Sequence, residues 1–293
     1  MADNGLGEFL RARRELTRPE QVGLPSGAAR RRVPGLRREE VAMLAGVSAD
    51  YYVRLEQGRD KHPSDQVLEA LSRVIDFGPD GLEHARRLAG PAPVARRRTA
   101  RTQRVEPGLR RLLDALTGSP ALVMSRHLDV LAVNALARAA FPAFVEGANV
   151  VRLTFLDAAT RDCYLEWDKV AQETVASLRA AAGADPDDPR LAELVGELSV
   201  KSPEFRAWWA RHEVKAKTRG TKKVLTTAVG PLDLEYETLV PQGSDGQLLV
   251  VYHADPNSPT AAALALLGSL SVSAFAPQDD PDRAPQDGQV IGE

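Results

Sequence analysis

The chain has 293 residues, 43% of them apolar and 27% charged, with a net charge of −2 and a single cysteine, Cys163. That composition suits two cored domains and excludes a disordered chain, an intrachain disulfide and a cysteine-built zinc site. The most apolar run, Ala261–Ala276, is broken by Gly268 and three serines and falls short of the roughly 20 residues that span a bilayer. With a polar N-terminus lacking the apolar stretch of a signal peptide, a cytoplasmic protein without membrane contact is expected.

Charge is unevenly placed: twenty basic residues against fifteen acidic up to Glu106, then eighteen against twenty-five. A basic front on an acidic back suits a head that meets a polyanion and a body that does not.

Leu6, Phe9, Leu10 and Arg13 recur at helical spacing and predict a first helix over Gly7–Glu15. Prolines and glycines between Thr17 and Gly35 predict a long loop, which carries Arg30, Arg31 and Arg32. Residues 36–58 then read LRREEVAMLAGVSADYYVRLEQG. Glu39 and Glu40 open a helix whose apolar face is Val41, Leu44 and Ala45. Gly46 stops it where positive φ costs glycine least, and Val47 plugs the gap. Ser48 caps the next helix, Tyr52 and Leu55 turn inward, and Gly58 closes it. Two helices joined this way lay the second in the DNA major groove. Asp50, in the first turn where negative charge suits the dipole, either caps the helix or reads cytosine N4.

Ser64 caps a helix to about Ile75, and Gly78-Pro79 begins another with Leu82, Ala85, Leu88 and Ala89 on one face. An all-α unit over 1–90 results, followed at 91–106 by a linker with Arg96, Arg97, Arg98, Arg101 and Arg104. That linker is either a plain spacer or a basic arm.

A second unit is expected over 107–276. A helix over Gly108–Leu116, which would join the two units, precedes a hairpin of Leu122–Ser125 and Val130–Val133, and Asn134 caps a helix to Phe141. Tyr164–Ala182 is a long amphipathic helix containing Leu165, Val170, Val175 and Leu178. Helices around Leu191–Leu198 and Phe205–Trp209 lead to three strands: Lys223–Val229, Leu232–Val240 and Gln247–His253. Ser258 caps a closing helix to about Leu270, and 277–293 is an acidic tail without periodicity, expected to be disordered. The order predicts an α+β unit, an antiparallel sheet covered by helices with a pocket between them.

Residues 36–58 resemble the helix-turn-helix domain of Cro/C1-type (XRE) transcriptional regulators. The run RRRVPGLRREEVA and the ending DYYVRLEQGRDKHPS are similar to the branch whose second domain is MmyB-like. Phe155-Leu156-Asp157, Glu166-Trp167, Asp188-Pro189, Ser202-Pro203-Glu204-Phe205, Trp209-Ala210-Arg211-His212 and Leu249-Val250-Val251-Tyr252 carry that likeness onward. The resemblance implies a homodimer that binds operator DNA, with a PAS-like domain that senses a small hydrophobic ligand such as a fatty acid. Carried over residue by residue, it puts Arg37, Arg38, Ser48, Ala49, Asp50, Tyr51, Arg54 and Arg59 at the DNA. Arg54 is the base reader and Arg38 the phosphate contact.

Met124, Val133, Phe155, Trp167, Trp208, Tyr236 and Val251 are candidate pocket residues, apolar or aromatic at positions expected to face inward. His212, with its neighbour Arg211, either meets a ligand carboxylate or satisfies helix carbonyls.

Catalysis is not expected, nor is a cofactor or a metal. His212-Glu213 begins a zinc-protease motif, but Ala216 stands where its second histidine belongs. Gly5-Leu6-Gly7 lacks a dinucleotide fingerprint, and Cys163 has no partner histidine close in sequence. The competing readings are a lipid- or small-molecule-binding enzyme with a helical accessory domain, or a protein-interaction adaptor.

Overall fold

The computed structural model of the chain describes residues 4–25, 35–90, 104–182, 188–244 and 246–275. The arginine run Arg30–Arg32, linker residues Arg96, Arg97, Arg98 and Arg101, and the acidic tail fall outside the described residues.

Five helices form the first unit: α1 (Gly5–Leu16), α2 (Arg38–Ala45), α3 (Ala49–Glu56), α4 (Asp65–Val74) and α5 (Gly78–Ala89). They close around Phe9, Leu10, Leu36, Val41, Tyr52, Leu55 and Leu71. Leu36 is anchored by its backbone N–H, which reaches the carbonyls of Arg14 and Thr17, each at 3.1 Å. Gly46 sits at φ 69°, the left-handed conformation that lets the chain turn from α2 to α3. Ser48 Oγ then accepts the Tyr51 N–H at 3.1 Å.

Leu44 departs from expectation: it is 38% exposed, while Ala42 is 1% exposed. Val41 and Ala45 face the core as predicted, and Ala42 joins them in place of Leu44. Val41 and Ala42 are both in the core, and α2 packs on α3 and α4.

The second unit begins with α6 (Pro107–Ala115). It continues with β1 (Ala121–Met124), β2 (Val130–Val133), α7 (Ala135–Ala140), α8 (Val150–Leu156), α9 (Ala158–Cys163), α10 (Trp167–Ala182), α11 (Pro189–Lys201) and α12 (Pro203–Trp209). It ends with β3 (Arg219–Thr226), β4 (Gly230–Leu239), β5 (Leu248–His253) and α13 (Pro259–Phe275). The five strands form one antiparallel sheet in the order β2-β1-β5-β4-β3, so the chain's first hairpin lies beside its last strand. One face carries Leu122, Met124, Leu234, Tyr236, Val250 and Tyr252 against the helices. The reverse face carries Val123, Ala132 and Leu249 against Leu113 of α6. Helix α6 therefore covers the back of the sheet rather than merely joining the two units. The α+β, PAS-like architecture is as the sequence predicts.

The boundaries moved where tertiary pairing overrides periodicity. Helices α8 and α9 were not predicted; each is short and capped by a side chain, Asn149 and Asp157 respectively. The helix expected from Tyr164 starts at Trp167, because Tyr164 is held in a bridge to Val224 and Leu165 is left 54% exposed. Strand β3 starts at Arg219, four residues early, paired along its length with β4. Strand β4 ends at Leu239, leaving Val240 exposed. No described helix is long and apolar enough to cross a membrane.

Candidate functional site

The surface of the α2–α3 pair gathers the sequence-predicted DNA residues. Arg37, Ser48, Ala49, Asp50 and Arg59 are exposed, and Arg38, Tyr51 and Arg54 half-exposed. Arg37 donates its backbone N–H to Glu40 at 2.7 Å, which fixes the start of α2. Asp50 pairs with Arg54 one turn on, and the Arg54 guanidinium lies 5.7 Å from the Tyr51 ring. Asp50 thus holds the Arg54 side chain along the exposed face of α3, and Ser48, not Asp50, supplies the cap.

Beneath that surface lies a group that sequence reasoning missed. Glu56, 5% exposed, takes Arg14 Nε at 2.5 Å and Arg38 Nε at 2.7 Å. Burial opposes ionisation, but hydrogen bonds from Arg14 and Arg38 hold the Glu56 carboxyl below its ordinary range. Arg14 also donates to the Leu36 carbonyl at 2.9 Å. This triad ties α1, α2 and α3 together and leaves the outer part of Arg38, 40% exposed, facing solvent. The signal available in sequence was a glutamate next to Leu55, on the buried side of α3.

In the second unit a small cavity of about 20 Å³ lies between sheet and helices. Met124, Leu128, Phe144, Val150, Val170 and Tyr252 give it an apolar wall. Thr174, Ser177, Lys217 and Lys222 give it a polar one. Tyr236 lies alongside, its ring 4.3 Å from Lys217 Nζ and 5.6 Å from Lys222 Nζ. Gly220, opposite Tyr236 in the ladder, makes this possible, since a Cβ there would sit 2.9 Å from the phenol oxygen. Desolvation lowers the Lys217 amine to about 7 and the Lys222 amine to about 8. Lys222 was missed because β3 was predicted to begin at Lys223, and Lys217 lies in the segment just before the strand. The true start puts Lys222 on the inward face with Val224.

Of the predicted pocket residues, Met124 lines this cavity and Tyr236 flanks it. Val133 is buried in the same core without lining it. Phe155, Trp167 and Phe205 form an edge-to-face cluster, with Trp209 stacked on Phe205 at 5.7 Å. Trp208 packs at the edge of that core under Arg211, whose guanidinium is 4.6 Å from its ring. Val251 is corrected: odd-numbered β5 residues point to the α6 side, so it packs with Leu113 and Leu249 and not into the cavity.

His212 lies elsewhere, at φ 51°, with Nδ1 3.2 Å from Arg179 Nη1. It lines a separate cleft of about 400 Å³ between the units, together with Phe9, Arg13, Phe77, Glu173 and Glu213. The units touch here through residues 212–217. Val214 packs against the first unit's core, and the Ala216 N–H donates to Asp80 Oδ2 at 3.0 Å. Arg87 Nη1 reaches the Ala180 carbonyl at 3.1 Å. Burial, with Arg179 close by, lowers both His84 and His212 to about 3.

Cys163 is half-buried, and burial with Asp157 and Asp162 pushes its thiol up, opposite to an activated nucleophile. His127 is engaged with Asp188, Nε2 to Oδ2 at 2.7 Å. Among the described residues no group of three metal-ligating side chains converges.

A family model described as "MmyB-like transcription regulator ligand binding domain" matches residues 105–267, and one described as "Helix-turn-helix domain" matches residues 6–85. No curated protein matches the chain.

Proposed function

This chain belongs to the MmyB-like transcription regulators, with a helix-turn-helix domain ahead of the ligand-binding domain, and from that premise we propose a mechanism by which ligand occupancy governs DNA binding. Helix α3 enters the major groove of an operator, where Arg54 reads a guanine and Arg37, Arg38, Ser48, Ala49, Tyr51 and Arg59 contact the DNA around it. Two copies related by a two-fold axis bind a pseudo-palindrome, since one short recognition helix reads only a few base pairs. The ligand is a small hydrophobic molecule of the fatty-acid kind, held between sheet and helices. The proposed limits of the two domains are 1–90 and 107–276, joined by 91–106.

The observation that carries this reading is the segment 212–217. Val214 packs on the DNA-binding domain's core, Ala216 bonds Asp80 at the start of α5, and Lys217 lines the cavity. One short strap touches both the sensor and the reader. The cavity measures about 20 Å³, no more than a water's worth of space, so a ligand seats only by parting the packing around it. Such an expansion favours one arrangement of the strap over another, which is what couples two sites.

The test is footprinting on the DNA upstream of the protein's own gene, with and without added fatty acid. Arg54→Ala is expected to cost about 1–3 kcal/mol on the preferred operator and relax preference at one position. Arg38→Ala should weaken binding to all sequences alike and lower the salt slope by about one. An Arg54→Ala protein with unchanged preference would remove α3 from the major groove. Protection indifferent to fatty acids would remove that ligand class.

A further inference from the structure

At about 400 Å³, the cleft between the two domains has the size of a small-molecule site and lies at a domain boundary, where such sites concentrate. The hydrophobic-ligand reading makes no use of it. Two of the four non-glycine residues at positive φ among the described residues line it, Asp76 at 35° and His212 at 51°. Left-handed backbone costs such residues of order 1–3 kcal/mol each, and it gathers where ligands are clamped.

Among the described residues, six charged side chains line the cleft, and their signs cancel: Arg13, Lys169 and Lys215 against Asp76, Glu173 and Glu213. The four from the second domain are committed within it. Lys169 bonds Thr221 Oγ1 at 3.0 Å, and Lys215 bonds Glu173 Oε1 at 3.0 Å. Glu173 also favours the charged forms of Lys217 and Lys222. Glu213 takes Gln172 at 2.6 Å and Arg211 at 3.1 Å.

The two from the DNA-binding domain are neighbours that do not pair. Arg13 Nη2 donates to the Asp76 backbone carbonyl, yet among the described residues no ion pair joins this guanidinium to any carboxylate. Arg13 Nε is buried without a hydrogen-bond partner, and Asp76 is exposed. A guanidinium offers a carboxylate two parallel donors, and an aspartate accepts from an ammonium. Side by side and each unspent, they match a head that carries both charges on one carbon. Phe77, Ala176 and Val214 add apolar wall beyond them.

We propose that the cleft is a second binding site, for a free α-amino acid with an apolar side chain. Its carboxylate bonds the Arg13 guanidinium, its ammonium the Asp76 carboxylate, and its side chain lies against Phe77, Ala176 and Val214. Because the head is held by the DNA-binding domain and the side chain by the sensor domain's strap, occupancy steadies the docked arrangement by mass action. The site is separate from the cavity between sheet and helices.

The experiment is calorimetric titration of the full-length protein with L-valine, L-leucine, L-methionine and L-phenylalanine, each beside its amide and its N-acetyl form. At least one amino acid is expected to bind once per chain and to raise the melting temperature. Its amide, which lacks the carboxylate, and its N-acetyl form, which lacks the ammonium, should each bind at least about tenfold more weakly. Arg13→Gln should no longer distinguish the acid from the amide, and Asp76→Asn should no longer distinguish the free amine from the acetylated one. Asparagine accepts the left-handed backbone of residue 76, and melts of both variants without amino acid check the fold. Should Arg13→Gln fail to fold, the capped forms on the wild type decide. If none of the four amino acids binds, the proposal falls. An N-acetyl form or an amide that binds as tightly as the free amino acid overturns recognition of a doubly charged head. Binding unchanged in both variants puts the amino acid outside the cleft. None of these outcomes alters the expected response to a fatty acid, which is read by footprinting.

Discussion

Glu56→Ala is expected to destabilise the DNA-binding domain by about 3–5 kcal/mol, a large share of the 5–15 kcal/mol by which domains are typically folded. The size follows from what remains after the substitution. Arg14 is 4% exposed and would keep its charge with only the Leu36 carbonyl and a longer contact to Glu15, at 3.4 Å, for partners. Arg38 would lose its tie to α3 and swing into solvent. Urea unfolding followed by tryptophan-independent far-UV circular dichroism measures the loss. The control is Arg14→Met with Glu56→Leu, which removes both buried charges. It should recover most of the stability, because well-packed apolar groups replace a buried pair at little cost. DNA binding should fall in Glu56→Ala along with stability, but Arg38 also loses its anchor, so the recovered double variant should still bind DNA more weakly than wild type. A Glu56→Ala protein as stable as wild type would show that the triad does not hold α1, α2 and α3 together.

Acid is expected to loosen the contact between the two domains. His84 on α5 is 3% exposed, and burial first, then Arg179 and Arg87, bring it from 6.5 to about 3. His212 is lowered to about 3 by burial, Arg179 and His84. Both are therefore neutral in the docked form and become charged when exposed below about 6.5. The open form binds more protons, so stability is independent of pH above about 6.5 and falls as pH drops toward 3. At about pH 5 the loss from His84 alone is roughly 2 kcal/mol, with a smaller share from the less buried His212. Urea midpoints measured between about pH 7 and pH 5 test this, and His84→Phe should flatten the dependence. A midpoint level across that range would mean His84 and His212 keep their ordinary titration.

These results bear on how the regulator is wired. The cluster of His84, Arg179 and His212 and the strap 212–217 lie at the same domain contact. Arg179 is fixed there within the second domain, its guanidinium 3.8 Å from the Trp209 ring and hydrogen-bonded to the Trp209 carbonyl at 2.5 Å. A ligand that moves Lys217 therefore acts on residues already packed against the DNA-binding domain.

Much of this protein was legible in its residues. Gly46, Ser48 and Gly58 set the turn and the limits of α3 through local chemistry alone: a positive φ, a side-chain cap and a stop. Alternation in Leu232, Leu234 and Tyr236 marked β4, and the resemblance carried by residues 36–58 and the Trp209–His212 stretch marked both domains. Such signals are short-range, and one sequence suffices to read them. What the sequence could not decide were matters of partnership between distant segments. Residues 42 and 44 lie on opposite sides of α2, and how α2 is rotated against α3 and α4 decided that Ala42 is buried and Leu44 exposed. Val251 alternates correctly along β5, but only the helices on each side of the sheet decide which face holds the cavity. Glu56 and Lys222 look like ordinary surface charges in sequence. Their burial, and so the strength of the electrostatics around them, comes from Arg14 more than forty residues away in one case and from pairing with β4 in the other. Local dihedral and capping preferences wrote the helix-turn-helix; desolvation, which exists only once the chain has folded on itself, made the charges that hold and inform it.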